Sequence, residues 1–115
     1  MPFVEVKSAS QWNELVSMAG GSSDNKGFPI VAKMGAEWCG PCRAMLGPFK
    51  RLSEDYDGVL FLDIDIDELP EIADKFEVTS VPTIIVISGG EITKKLVGGG
   101  SAVLSDLRGA INALG

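Results

Sequence analysis

The chain's only two cysteines stand in the string Trp38-Cys39-Gly40-Pro41-Cys42, with two residues between them. Two thiols at that spacing can carry out thiol-disulfide exchange. They follow an apolar run, Pro29 to Met34, that predicts a buried strand, and they precede a stretch from Arg43 to about Tyr56 that predicts a helix. At a strand-to-helix junction the free amides and dipole of the helix start favour an anion. Cys39 would there be the more exposed thiol, with a lowered pKa, and so a nucleophile near neutral pH. Cys42, one turn later and more buried, would attack the mixed disulfide and release the product. The competing reading is a static bridge or two inert thiols. A bridge across two residues closes a tiny loop, which constrains little of the unfolded chain.

Composition excludes most other chemistry. There is no histidine, so Cys-His and Ser-His-Asp catalysis and every histidine metal site are ruled out. Two cysteines alone do not close a zinc tetrahedron; no metal is expected, and a site bridging two chains is the weaker alternative. The net charge is −6, with acidic clusters at Glu54, Asp55, Asp57 and at Asp63, Asp65, Asp67, Glu68, so nucleic-acid binding is not expected. No apolar run approaches the roughly 20 residues of a membrane helix. The N-terminal residues Met1 to Glu5 lack the basic region and apolar core of a signal peptide. A cytoplasmic address follows as the expectation, and there the thiols would rest reduced. At 115 residues the chain should form a single domain, 1–115, and a monomer is expected.

The elements that must position the cysteines can be read in order. Phe3 to Val6 predicts a first strand. Ser8 and Gln11 form a capping box before a helix whose apolar face is Trp12, Leu15, Val16 and Ala19. Gly20-Gly21 stops it, and Gly20 to Gly27 reads as a flexible loop. Ile30 to Gly35 is apolar except for Lys33, as in a central strand covered on both faces. The helix after Cys42 should turn Leu46, Phe49 and Leu52 inward and kink at Pro48. Val59 to Ile66 predicts a strand, Leu69 to Phe76 a helix, and Thr83 to Ile87 a strand. Gly89-Gly90 then turns the chain into an edge strand from Ile92 to Val97. Ser101 should cap a last helix burying Leu104, Leu107, Ile111 and Leu114. The order βαβαβαββα describes an α/β protein with helices on both faces of the sheet.

The Trp38-to-Cys42 string resembles the active site of the thioredoxin family. Val81-Pro82-Thr83 matches the segment carrying that family's cis-proline, Gly89-Gly90-Glu91 its hairpin turn, and Val97-Gly98-Gly99 its late glycine. The spacings agree from about Phe28 to the C-terminus. The resemblance implies the thioredoxin fold, a central mixed five-stranded sheet flanked by four helices. It implies a cis bond before Pro82, with that ring against the Cys39 sulfur, and a Val81 backbone that pairs with an extended substrate segment. Trp38, Gly40, Pro41, Gly98 and Gly99 would form a shallow apolar groove for the substrate. Trp38 is read as both packing and contact surface, Trp12 as core. Gly40-Pro41 adds no charge that would over-stabilise the thiolate, which suits a reductant better than an oxidant or isomerase.

Lys33 departs from that pattern. The family normally has a buried aspartate six residues before the first cysteine, where it relays protons for the resolving thiol, and often a lysine on the adjacent strand, where this chain has Asp63. A swapped pair, Lys33 with Asp63, is therefore expected, because a lone buried ammonium is costly. Lys33 near Cys42 could stabilise its thiolate or, if neutral, accept its proton. Snorkelling of Lys33 to solvent is the plainer alternative. Gly35 is a second departure, at a position often bulkier in the family, and would leave space beside the site.

These readings converge on a protein-disulfide reductase that works through a Cys39/Cys42 dithiol. No bound cofactor is expected, since the cysteines carry the electrons. By resemblance its partners are disulfide-containing client proteins and an NADPH-linked flavoprotein, a thioredoxin reductase, that reduces it again. The alternative is a binding or accessory subunit of the same fold with little turnover.

Overall fold

The computed structural model describes residues 3–20 and 27–114. The predicted loop falls almost wholly on residues 21–26, which lie outside the described residues, as do Met1, Pro2 and Gly115. The element order is β1 Phe3–Glu5, α1 Ala9–Ala19, β2 Ile30–Gly35, α2 Gly40–Ser53, β3 Leu60–Asp65, α3 Pro70–Lys75, β4 Thr83–Ser88, β5 Glu91–Val97 and α4 Ser101–Asn112. This is the thioredoxin fold: one mixed sheet of five strands in the order β1-β3-β2-β4-β5. β1, β3 and β2 run parallel, while β4 runs antiparallel to both β2 and β5.

Strand alternation divides the core in two. Ile30, Ala32 and Met34 of β2 pack with Leu62 and Ile64 of β3 under Trp12 of α1 and Ile72 of α3. Val31 and Phe61 face the other way, onto Met45, Phe49 and Leu52 of α2 and Leu107 and Ile111 of α4. Successive side chains of a strand point to opposite faces. Lys33, Gly35 and Asp63 therefore share the α2 face with Val31 and Phe61, and that register aims them at the dithiol.

Three local expectations change. Helix α2 begins at Gly40, not after Cys42, and ends at Ser53. Pro41 sits in its first turn, where a fixed φ and a missing N–H cost nothing. Beyond Ser53, the amides of Asp55 and Tyr56 donate to the carbonyls of Leu52 and Ser53, three residues back, so the chain tightens out of the helix. Within α2, Met45 rather than Leu46 is the deeply buried residue; Leu46 is half-buried, and the helix runs on through Pro48. The last helix is capped by Gly100, whose φ of 100° suits glycine, so Ser101 is already helical and makes no cap bond.

The turn chemistry follows the sequence elsewhere. Ser8 accepts from the Gln11 amide at 3.0 Å, but Gln11 Oε1 accepts from the amide of Lys7, one residue before the cap. Gly20 ends α1 in right-handed geometry, its amide donating to Val16. Gly89 and Gly90 both take positive φ, 62° and 81°, as a tight hairpin between twisted strands requires. Among the described residues no helix is long and apolar enough to cross a membrane.

Candidate active site

The site collects at one end of the sheet, where β2 and β3 finish and β4 begins. β2 ends at Gly35, and a short turn carries the chain to Cys39, whose extended backbone (φ −92°, ψ 108°) makes it the N-cap of α2. The cysteine sulfur takes the place of the usual capping oxygen: the Cys42 amide donates to Cys39 Sγ at 3.2 Å. Upon reduction the same N–H would face a thiolate, where a charge-assisted bond is stronger.

Cys39 and Cys42 are joined as a disulfide, with Cα atoms 5.3 Å apart. The expected contrast in exposure is small in this oxidised form: Cys39 is 5% exposed and Cys42 2%. Both are buried because Ala36, Val81 and Ile66 pack around them.

Val81 and Pro82 stand beside the dithiol. The Val81–Pro82 bond is cis, as the resemblance implied. Gly98 donates its amide to the Pro82 carbonyl at 2.9 Å, which ties the end of β5 to this loop. Gly98 itself has a φ of 108°. A methyl built on Gly99 would lie 3.3 Å from Pro41 Cβ, 3.6 Å from Pro82 Cγ and 3.7 Å from Met45 Cε. Pro41, Pro82 and Gly99 thus form one apolar wall that closes on Met45, a residue the sequence reading had not included. Gly40, by contrast, opens onto free space.

Trp38 directly precedes the dithiol in sequence. It is 68% exposed, and its indole N–H donates to Asp67 Oδ2 at 2.8 Å. Asp67 follows β3, which pairs with β2. The Asp67 partner was missed in the sequence because nothing local marks it; the two are brought together only by the pairing of β2 with β3. Trp12 is core, edge-on to Phe76 with ring centroids 5.6 Å apart.

Lys33 and Asp63 are register partners on β2 and β3, and Lys33 Nζ lies 3.0 Å from Asp63 Oδ1. The Lys33 side chain is 4% exposed, so it does not snorkel to the surface. It borders a cavity of about 210 Å³ that also reaches Gly35, Cys42 and Asp63 and opens past Glu5, Lys7 and Glu68. Among the described residues no buried side-chain nitrogen or oxygen is left without a hydrogen-bond partner, and no group of three or more metal-ligating side chains occurs.

Comparison with known proteins agrees with this geometry. The family model described as Thioredoxin matches residues 4–112. The Thioredoxin-like protein CXXS1 of Arabidopsis thaliana is 40% identical over 83% of this chain and 77% of its own length. Thioredoxin H2-1 of Oryza sativa subsp. japonica is 35% identical over 96% of this chain and 75% of its own. The crystal structure of a poplar wild-type thioredoxin h superposes with a TM-score of 0.84 at 32% identity, covering 96% of each chain. With the dithiol at a helix start beside a cis-proline, and with these matches across almost its whole length, the chain belongs to the thioredoxin family.

Proposed function

We infer that this protein is a thiol-disulfide oxidoreductase that reduces protein disulfides. The observation that carries the reading is the placement of Cys39 as N-cap of α2, one helical turn from Cys42. Cys39, as thiolate, attacks one sulfur of a client disulfide; a Cys39–client bond forms and the other client sulfur leaves as a thiolate that takes a proton from water. Cys42 then gives up its proton and attacks Cys39 Sγ. The client's second thiol is released, and the chain ends with the Cys39–Cys42 bond. Two electrons have passed from the dithiol to the client.

The remaining roles are assigned with the same logic. Val81 offers backbone to an extended client segment, while Pro41, Pro82, Gly98 and Gly99 shape one wall against it. Trp38 and Gly40 complete the apolar groove with them. Lys33 and Asp63 serve the proton release at Cys42. The oxidised chain is returned to the dithiol by a flavoprotein reductase that draws on NADPH, with no cofactor bound to the chain itself, and the cytoplasm is the compartment that suits a resting dithiol.

A second reading, an accessory subunit with little turnover, is favoured by one observation: an ammonium stands beneath Cys42 where the family pattern has a carboxylate. Insulin reduction by the wild type, by Cys39→Ser and by Cys42→Ser separates the two. Turnover by the wild type that is lost in both variants, with a trapped Cys39–client bond in Cys42→Ser, supports the reductase. Tight client binding with no wild-type turnover overturns it in favour of the subunit.

A further inference from the structure

Gly35 occupies the ground between Lys33 and Cys42. A methyl placed on its Cα would lie 3.1 Å from Lys33 Nζ, 3.2 Å from Cys42 Cβ and 3.3 Å from Cys42 Sγ. The ammonium nitrogen and the sulfur therefore lie no farther apart than the first and last of those lengths laid end to end, and Gly35 itself puts no side chain between them. An opposite charge at such range favours the ionised form of a thiol, and a deeply buried one is little screened by salt. Resting on the reductase reading, we propose that Gly35 is a positioning residue for the release step: by carrying no side chain it leaves the Lys33 ammonium facing Cys42, and that charge holds the thiolate which attacks Cys39.

The arrangement differs from a carboxylate base. The Cys42 proton need not pass to Lys33. It leaves to water through the cavity, whose volume of about 210 Å³ admits several waters at about 30 Å³ each. The new S–S bond forms between Cys42 and Cys39 as the Cys39–client bond breaks, and the client thiolate takes up a proton from solvent.

Other charges border the same cavity: Glu5 at the end of β1 and Lys7 after it, Asp63 and Asp65 of β3, Glu68 beyond it, and Glu37 and Arg43 on either side of the dithiol. The carboxylates oppose a thiolate. Asp63 is engaged by Lys33 and offsets part of its charge, while Asp65 is held in a turn by accepting the amide of Asp67 at 2.8 Å. Lys33 is the cation that touches the Gly35 gap from inside the sheet. An added methyl would act on it selectively, because the lysine tip can swing away while Cys42, fixed in the first turn of α2, cannot.

A titration of Cys42 decides the matter. In a Cys39→Ser background, cysteine-selective ¹³C labelling leaves one Cβ signal, whose shift reports ionisation. Lys33→Gln should raise the midpoint by about one pH unit. Gly35→Ala should raise it by about half as much when Lys33 is present, and should add nothing when Lys33 is already Gln. An equal rise from Gly35→Ala in both backgrounds, or no rise from Lys33→Gln, overturns the proposal. Should Gly35→Ala fail to fold, a nuclear Overhauser contact between Lys33 Hε and Cys42 Hβ in the reduced wild type decides: its presence supports the arrangement, its absence overturns it. Insulin turnover is measured separately, so loss of the reductase reading would show there and not in the midpoint.

Discussion

Lys33 and Asp63 form an ion pair whose two ends sit in different surroundings: the lysine side chain is 4% exposed, the aspartate 23%. The two partners should therefore not be equivalent in stability. Asp63→Asn leaves an ammonium in the core with a weaker acceptor, and the cost should be about 3 kcal/mol. Lys33→Met puts an apolar chain of similar length among Val31, Cys42 and the α2 face and leaves Asp63 partly solvated; the cost should stay under about 1 kcal/mol. Urea unfolding at unchanged m-value measures both. Equal losses would show that the pair is not held at its lysine end.

Lys7 supplies a control on pH dependence. Its hydrogen bond to Glu5, and then the charge of that carboxylate, raise its pKa above the ordinary lysine value of 10.5. A pKa raised on folding contributes stability that is complete below the unfolded value and is lost as pH climbs through the folded one. Lys7 therefore stays charged throughout the neutral range, although it stands at the cavity mouth. Lys7→Met should leave the shape of the pH profile of insulin reduction unchanged. A shifted profile would mean that the mouth of the cavity, and not Lys33, governs the ionisation of Cys42.

The Trp38–Asp67 bond makes a prediction about clients. An exposed indole free to rotate must be ordered each time a client binds, whereas one held at 2.8 Å from a carboxylate is ordered beforehand. Asp67→Ala should lower kcat/KM for insulin about fivefold, equivalent to about 1 kcal/mol for one lost bond to a charged acceptor. KM should carry most of that change. The fluorescence anisotropy of Trp38, read with Trp12 replaced by Phe, should fall in the same variant. Unchanged anisotropy would mean that packing rather than Asp67 orients the ring.

Much of this was legible in the chain because the signals were local. Alternation and helical spacing carry the element order, and a Cys-x-x-Cys at a strand-to-helix junction carries the chemistry. The Lys33–Asp63 pair was also legible, because each residue occupies the other's usual position in the family pattern. What the sequence withheld depends on geometry between elements. Met45 and Leu46 both stand at helical spacing from Phe49, and only packing against Val31 and Phe61 of the sheet selects Met45 for burial. Trp38 meets Asp67 only through the pairing of parallel strands. The near-equal burial of Cys39 and Cys42 reflects Ala36, Val81 and Ile66 closing over the bridge, which no spacing rule announces. The gap at Gly35 is visible in sequence as a small residue, but its meaning required knowing which two atoms face each other across it.

Gly99 gives the most direct test of the client wall. Its missing side chain leaves room above Pro41 and Pro82, two rigid rings that cannot swing aside as a lysine tip can. A methyl at 3.3 Å from Pro41 Cβ must push that ring or itself by a few tenths of an ångström, and in either case it projects into the wall. The backbone at Gly99 is not in the left-handed region, unlike Gly98 and Gly100 on either side, so Gly99→Ala should fold with little loss of stability. Reduction of a small disulfide such as that of oxidised glutathione should change little, because it needs only the dithiol. Reduction of insulin should fall several-fold through KM, because an extended segment must lie along Pro82. An equal fall for both substrates would place the effect on the dithiol itself and not on client docking.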